Sequence, residues 1–228
     1  PTEELYFATF TNVGTNSGDY ILDSSTAIGN IYKYAGVNQG SYVPITRLIA
    51  PTKSQVFVLQ SNYNPAEKTN FSSEVAISNT DANLFSSIDN SQNAGIAARI
   101  GWQQVLIDKK WILTSTMNHE YAHQNFKTLQ RWESVEFNRD WNLLTNKATK
   151  NYFQSEFNLQ NKKNDFILYR YNHLNYIATF NGNKHELQSK IKHKNTAFFI
   201  DGSFLTNTST SEENSFLRAK ATIEHRFE

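Results

Sequence analysis

Between Ala94 and Tyr121 the chain is dominated by a two-residue period on either side of a short charged break. Ile96, Ala98, Ile100 and Trp102 alternate with Ala97, Arg99, Gly101 and Gln103. After the charged break Asp108-Lys109-Lys110, Trp111, Leu113 and Met117 alternate with Thr114, Thr116 and Asn118. Side chains on an extended strand point to opposite faces in turn, so this spacing predicts a long antiparallel hairpin with one apolar and one wet face. It excludes an amphipathic helix, whose apolar residues return every three or four positions.

The same device recurs downstream. Gln55–Tyr63 and Thr69–Ser78 flank Asn64–Lys68, a turn with Pro65 at its corner; Phe71, Ser73, Val75 and Ile77 face one way, and Ser72, Glu74 and Ala76 the other. Further strand-like runs lie at Glu133–Leu143, Tyr152–Leu159, Phe166–Phe180, Lys184–Lys194, Ala197–Thr206 and Phe216–Phe227. The polar breaks are Asn79–Asn93, Gln160–Asp165, Asn181-Gly182-Asn183, Asn195-Thr196 and Asn207–Ser215. Many runs exceed the usual strand of about five or six residues. The predicted fold is all-β: an antiparallel up-and-down meander of long amphipathic strands, part of a β-barrel or a large curved sheet. Its apolar stripe is expected to hold Ile96, Ile100, Trp102, Trp111, Leu113, Phe137, Trp141, Tyr169, Tyr171 and Phe199. The polar face, lumen-lining in a barrel, is expected to hold Arg99, Gln103, Asn118, Glu120, Lys190 and Lys192.

Residues 1–50 have a different texture, rich in Gly, Asn and Tyr, and form a loop-containing β region contiguous with the meander of 51–228. Leu5–Phe10 is a short aromatic strand candidate. A crude repeat follows, Gly14-Thr15-Asn16-Ser17-Gly18-Asp19-Tyr20 and Gly36-Val37-Asn38-Gln39-Gly40-Ser41-Tyr42. Its first and fifth glycines are expected to supply positive φ for two similar turns. Asp19, Asp23 and Ser24 are the oxygen ligands such loops offer to calcium or glycan, although their spacing matches no known loop.

Composition narrows the function classes. The 228 residues carry a net charge of +1, which gives no bulk attraction for nucleic acid. With Cys 0, disulfides, thiolate catalysis and cysteine–zinc sites are excluded. No apolar run approaches the ~18 residues of a membrane helix, so insertion in a bilayer would have to use strands. The chain opens Pro1-Thr2-Glu3, as a piece of a longer polypeptide or a processed one does.

His119-Glu120-Tyr121-Ala122-His123 satisfies H-E-x-x-H, in which a helix would bring His119 and His123 to one zinc with Glu120 as base. The strand-like residues before it oppose that reading: on a strand the two histidines stand about 13 Å apart. The basic run Lys184–Lys194 alternates, with Lys184, Lys190, Lys192 and Lys194 on one face and Leu187 and Ile191 on the other. A solvated strand face explains it better than an anion-binding stripe. In Glu133–Leu143, Arg139 falls among the apolar positions and is expected to be salt-bridged rather than catalytic. No G-x-S-x-G elbow, P-loop or dinucleotide fingerprint occurs, and no cofactor is expected.

Gly18-Asp19-Tyr20, Tyr32-Lys33-Tyr34, Gly36 with Gly40-Ser41-Tyr42-Val43-Pro44, and Val135–Asn142 together resemble long envelope proteins of Bacteroidota-like bacteria, of the outer-membrane β-barrel type. The resemblance implies a β-rich fold in the outer membrane or at the cell surface and carries over no activity and no catalytic residue; the function expected first is a structural or transport role in the outer membrane. The expected partners are outer-membrane lipid or a packed partner sheet. The alternative is a soluble sheet module binding glycan or protein through Asn79–Asn93 and Asn207–Ser215.

Overall fold

The computed structural model describes residues 8–46, 49–88, 90–144 and 147–227. The chain divides into two compact units, Pro1–Ala50 and Pro51–Glu228. In the first, β1 (Thr11–Asn12), β2 (Tyr20–Thr26), β3 (Gly29–Tyr34) and β4 (Tyr42–Val43) form a sheet of order β1-β4-β2-β3. Residues 5–7 of the Leu5–Phe10 strand candidate lie outside the described residues, and 8–10 adopt no strand.

The glycine repeat in this unit has a different logic from the one expected. Gly14 and Gly36 do take positive φ, 97° and 114°. The fifth-position glycines do not: Gly18 and Gly40 bridge each other across the repeat axis. A Cβ on Gly18 would strike the Tyr42 backbone, and one on Gly40 the Tyr20 backbone. The two turns therefore need these glycines for close approach. Asp19 accepts a hydrogen bond from the Asn38 backbone N–H at 2.9 Å, so its carboxylate ties one turn to the other. Phe10, Tyr20, Tyr32, Tyr34 and Tyr42 cluster with ring centroids 4.2–5.4 Å apart, Phe10 stacked on Tyr32 and the other pairs edge-on or tilted.

The second unit is a nine-stranded antiparallel sheet in sequence order, β5 (Lys53–Ala66), β6 (Thr69–Asp81), β7 (Ala94–Asp108), β8 (Trp111–Ala122), β9 (Lys150–Asn161), β10 (Phe166–Tyr176), β11 (Phe180–His193), β12 (Thr196–Ser209) and β13 (Glu213–His225). The predicted meander is present. The sheet is open, with β5 and β13 at its edges rather than paired with each other. The hairpin turning at Lys109-Lys110 pairs Ile100 with His119 and Trp102 with Met117, as alternation requires.

Boundaries moved wherever turn-forming residues lie inside a strand. Pro65 is in β5, beside a bulge between Tyr63 and Ala66, and the turn is Glu67-Lys68. Asn181-Gly182-Asn183 is strand: the chain reverses at Ile177-Ala178-Thr179, with Ala178 at φ 63°. Asn207–Ser215 is not a long loop, because β12 runs to Ser209 and β13 opens at Glu213. The larger correction is Glu133–Leu143. It forms no strand; Phe137–Trp141 is a one-turn helix, α1, inside the long connection from β8 to β9. Arg139 lies on its exposed side, paired with Glu136 at 2.9 Å.

At the end of the sheet with short turns, Asp165 locks the β9–β10 connection. Its carboxylate accepts from the Asn161 side-chain amide and from the Lys192 backbone N–H, both at 2.8 Å. These bonds, the Asn161 bond first, hold its carboxyl below the ordinary range. A depressed folded pKa stabilises the native state above the unfolded value near ~3.9, and the contribution is lost as pH falls through the lower folded value. Asp165→Asn is therefore expected to lower the thermal midpoint at neutral pH, with the gap from the native chain closing as pH falls from about 5 to 2, so that the acid limb flattens. An acid limb identical to that of the native chain would refute this role.

Candidate functional site

Register fixes which side chains share a face. One face carries Phe57 and Leu59 of β5, Val75 and Ile77 of β6, Ile96 and Ile100 of β7, Leu113 of β8, Phe157 of β9, Ile167 and Tyr169 of β10, Leu187 of β11, Ile200 of β12 and Ile223 of β13. This face is largely uncovered: Phe57 is 65%, Leu59 64% and Ile223 67% exposed. Of the residues expected there, Ile96, Ile100, Trp102, Trp111, Leu113, Tyr169 and Tyr171 are on it. Phe199 is not, since it pairs with Lys190 on the opposite face, and Phe137 and Trp141 belong to α1.

The opposite face carries Arg99, Gln103, Asn118, Glu120, Lys190 and Lys192 together, as alternation requires. In the middle of this face, from Asn118 to Glu186, side chains bond across the strands instead of facing water singly. Asn118 donates to Gln154 at 3.3 Å, and Gln154 and Tyr152 donate to Asn172 at 3.0 and 2.8 Å. Asn172 donates to Glu186 at 2.9 Å, and Lys184 pairs with Glu186 at 3.0 Å. Arg170 holds Glu156 through Nε and Nη2 at 2.8 and 2.6 Å. The chain of contacts crosses four strands, and Asn172 within it is 2% exposed. A polar group so deeply buried is tolerated because its bonding capacity is used.

At the opposite end from the short turns, the β8–β9 connection, described at residues 123–144 and 147–149, folds down over this polar face. It starts on β6 and β7. The Lys127 backbone N–H donates to the fully buried Ser78 hydroxyl at 3.0 Å, and the backbone of Asn125 and Phe126 occupies the space where a Cβ on Gly95 would sit. It finishes on β11 and β12. Trp141 packs where a Cβ on Gly182 would stand 3.0 Å from its ring, and its carbonyl accepts from Asn207 at 2.8 Å. From β6 to β12 is six strand spacings, so the connection straps roughly 29 Å of sheet width. Trp141, Leu174, Tyr176, Phe180 and Leu205 form the core beneath it, with Phe137, Leu143 and Tyr152 against them.

The middle of the strap is held by charge. Lys150, 4% exposed, reaches Glu133 of the strap at 2.9 Å and Glu120 of β8 at 3.4 Å. Arg99 pairs with the other oxygen of Glu120 at 2.7 Å. Trp132 lies against both cations, its ring centre 4.7 Å from the Lys150 ammonium and 5.7 Å from the Arg99 guanidinium. Beside this knot a cavity of about 440 Å³ opens between the strap (Phe126, Leu129, Trp132) and Val56, Val58 and Arg99. The Arg99 Nε is buried there with no hydrogen-bond partner among the described residues.

The H-E-x-x-H residues do not converge. His119 and Glu120 are consecutive in β8 and point to opposite faces, and Glu120 is committed to Arg99 and Lys150. His123, just past the strand, accepts at Nδ1 from the Asn125 N–H. Among the described residues no three His, Asp or Glu side chains cluster as metal ligands. Sequence reasoning missed Lys150, Glu133, Trp132, Ser78 and Asn207, since each matters through a partner at least 17 positions away. Compared with protein-family models, curated proteins and solved structures, the chain finds no match.

Proposed function

We propose that the chain is a wall segment of an outer-membrane β-barrel-type protein, with a structural or transport role. The observation that carries this reading is the largely uncovered face to which each of the nine strands contributes apolar side chains, interspersed with His119, His173 and His185, backed by a face whose central polar groups interlock. An exposed apolar surface of this extent calls for lipid or a partner. Strands of 11 to 15 residues meet the ~9–11 tilted residues a bilayer demands. The turns also sort by end, short at one and carrying two longer connections at the other, as in barrels whose turns and loops face opposite sides of the membrane. In this setting the polar face lines the lumen and the strap narrows one mouth. No helix among the described residues is long and apolar enough to cross a membrane.

The second reading is a soluble module whose apolar face meets a partner sheet and whose connection 82–93 binds glycan or protein. It has lost one of its two proposed binding loops, now the three-residue turn 210–212. Solubility separates the two. The barrel reading expects aggregation without detergent, recovery of strand signal in detergent or lipid, and faster gel migration before boiling than after. Monodisperse behaviour in detergent-free buffer would overturn it.

A further inference from the structure

All eight pairings in the nine-stranded sheet are antiparallel, so strand direction reverses at every step. Nine is odd, and the edge strands β5 and β13 therefore run in the same sense. Joining them directly would create a parallel seam in an otherwise antiparallel wall. Both edges are nonetheless built to continue. β5 and β13 are 14 and 13 residues long, and among the described residues each bonds to a neighbouring strand on one side only. Both keep the alternation of the interior strands: Phe57 and Leu59 on β5, and Leu217 and Ile223 on β13, extend the apolar face. Their polar partners, Gln60 and Asn62, and Arg218 and Lys220, extend the other. A long edge of this kind is a template for another strand.

From these observations, together with the barrel reading on which this rests, we infer that the sheet is completed by a non-identical amphipathic β-segment. It carries an odd number of strands and binds antiparallel to β5 at one end and to β13 at the other. An odd addition makes the total even, the condition for a wholly antiparallel closed wall. The N-terminal sheet does not meet the description, because its strands have 2, 7, 6 and 2 residues. A second copy does not meet it either. Turned about an axis along the strands, it brings its β5 beside β13 in the same sense. Turned end over end, it pairs β13 with β13 antiparallel but places the two straps at opposite mouths, which a membrane with unlike sides forbids.

The test is electron cryo-microscopy of the protein extracted from its native envelope in detergent, counting the strands between β13 and β5. The expected result is an odd number of strands of different sequence, antiparallel at both seams. A direct β5–β13 contact, an even number of intervening strands, or a seam made by a second copy would overturn the inference while the barrel reading stands. A detergent-free particle with both edges unpaired would overturn both.

Discussion

Trp141→Ala is expected to cost about 3–5 kcal/mol, the range for removing a large aromatic from a packed site. That is a large share of the roughly 5–15 kcal/mol that holds a typical domain folded. The side chain is 4% exposed and its ring meets Phe137, Tyr152 and Phe180 at centroid distances of 6.2–6.5 Å. Truncation would leave a void under the strap and loosen the Asn207 bond to the Trp141 carbonyl. The damage is expected to be local as well as global. The urea midpoint in detergent should fall, and limited proteolysis should first cut within 123–149 while strands β5 to β13 stay protected. Gly182→Val tests the same contact from the other side. Its Cβ would press the Trp141 and Phe180 rings at 3.0 Å and should cost about 1–3 kcal/mol by overpacking. If both variants kept the native midpoint and an uncut strap, Trp141 would not be the anchor.

The anchor is also where the sequence misleads most. Val135, Phe137, Trp141 and Leu143 fit an apolar-polar alternation, but Phe137 and Trp141 are four apart and fit one face of a helical turn equally well. A short run cannot separate the two periods. The deciding fact is tertiary: both rings pack on Tyr152, which belongs to the next strand. Gly182 shows the same ambiguity, for Asn-Gly-Asn reads as a turn, whereas the glycine is there because Trp141 leaves no room for a side chain. By contrast, period two over twelve or more residues admits one reading, and so the meander, the 94–121 hairpin and the shared face of Arg99, Gln103, Glu120, Lys190 and Lys192 are all visible in the sequence. The strap's other partners are not. Ser78 and Asn207 look like ordinary strand-end polar residues until a connection 27 residues long is laid across them.

Lys150 is expected to be the most sensitive charged position in the molecule. Removing one member of a buried ion pair costs about 3–5 kcal/mol, mainly because the remaining charge loses its compensation. Here Lys150→Met would strand two carboxylates, Glu133 of the strap and Glu120 of β8. Glu120 keeps Arg99 at 2.7 Å, and Glu133 is partly open to solvent. The cost should therefore fall near the lower end, about 3 kcal/mol. Trp132 would lose the nearer of its two cations, so its fluorescence should shift along with the drop in midpoint. Glu133→Gln alone should cost less, since Lys150 retains Glu120. In the double variant Lys150→Met/Glu133→Gln, part of the loss should return, because the carboxylate that had been stranded is gone. Coupling of contacting groups in this way gives an interaction energy of about 0.5–3 kcal/mol in a double-mutant cycle. Strictly additive losses would mean that the strap is held by its aromatic anchor alone, with the charges merely resting beside it.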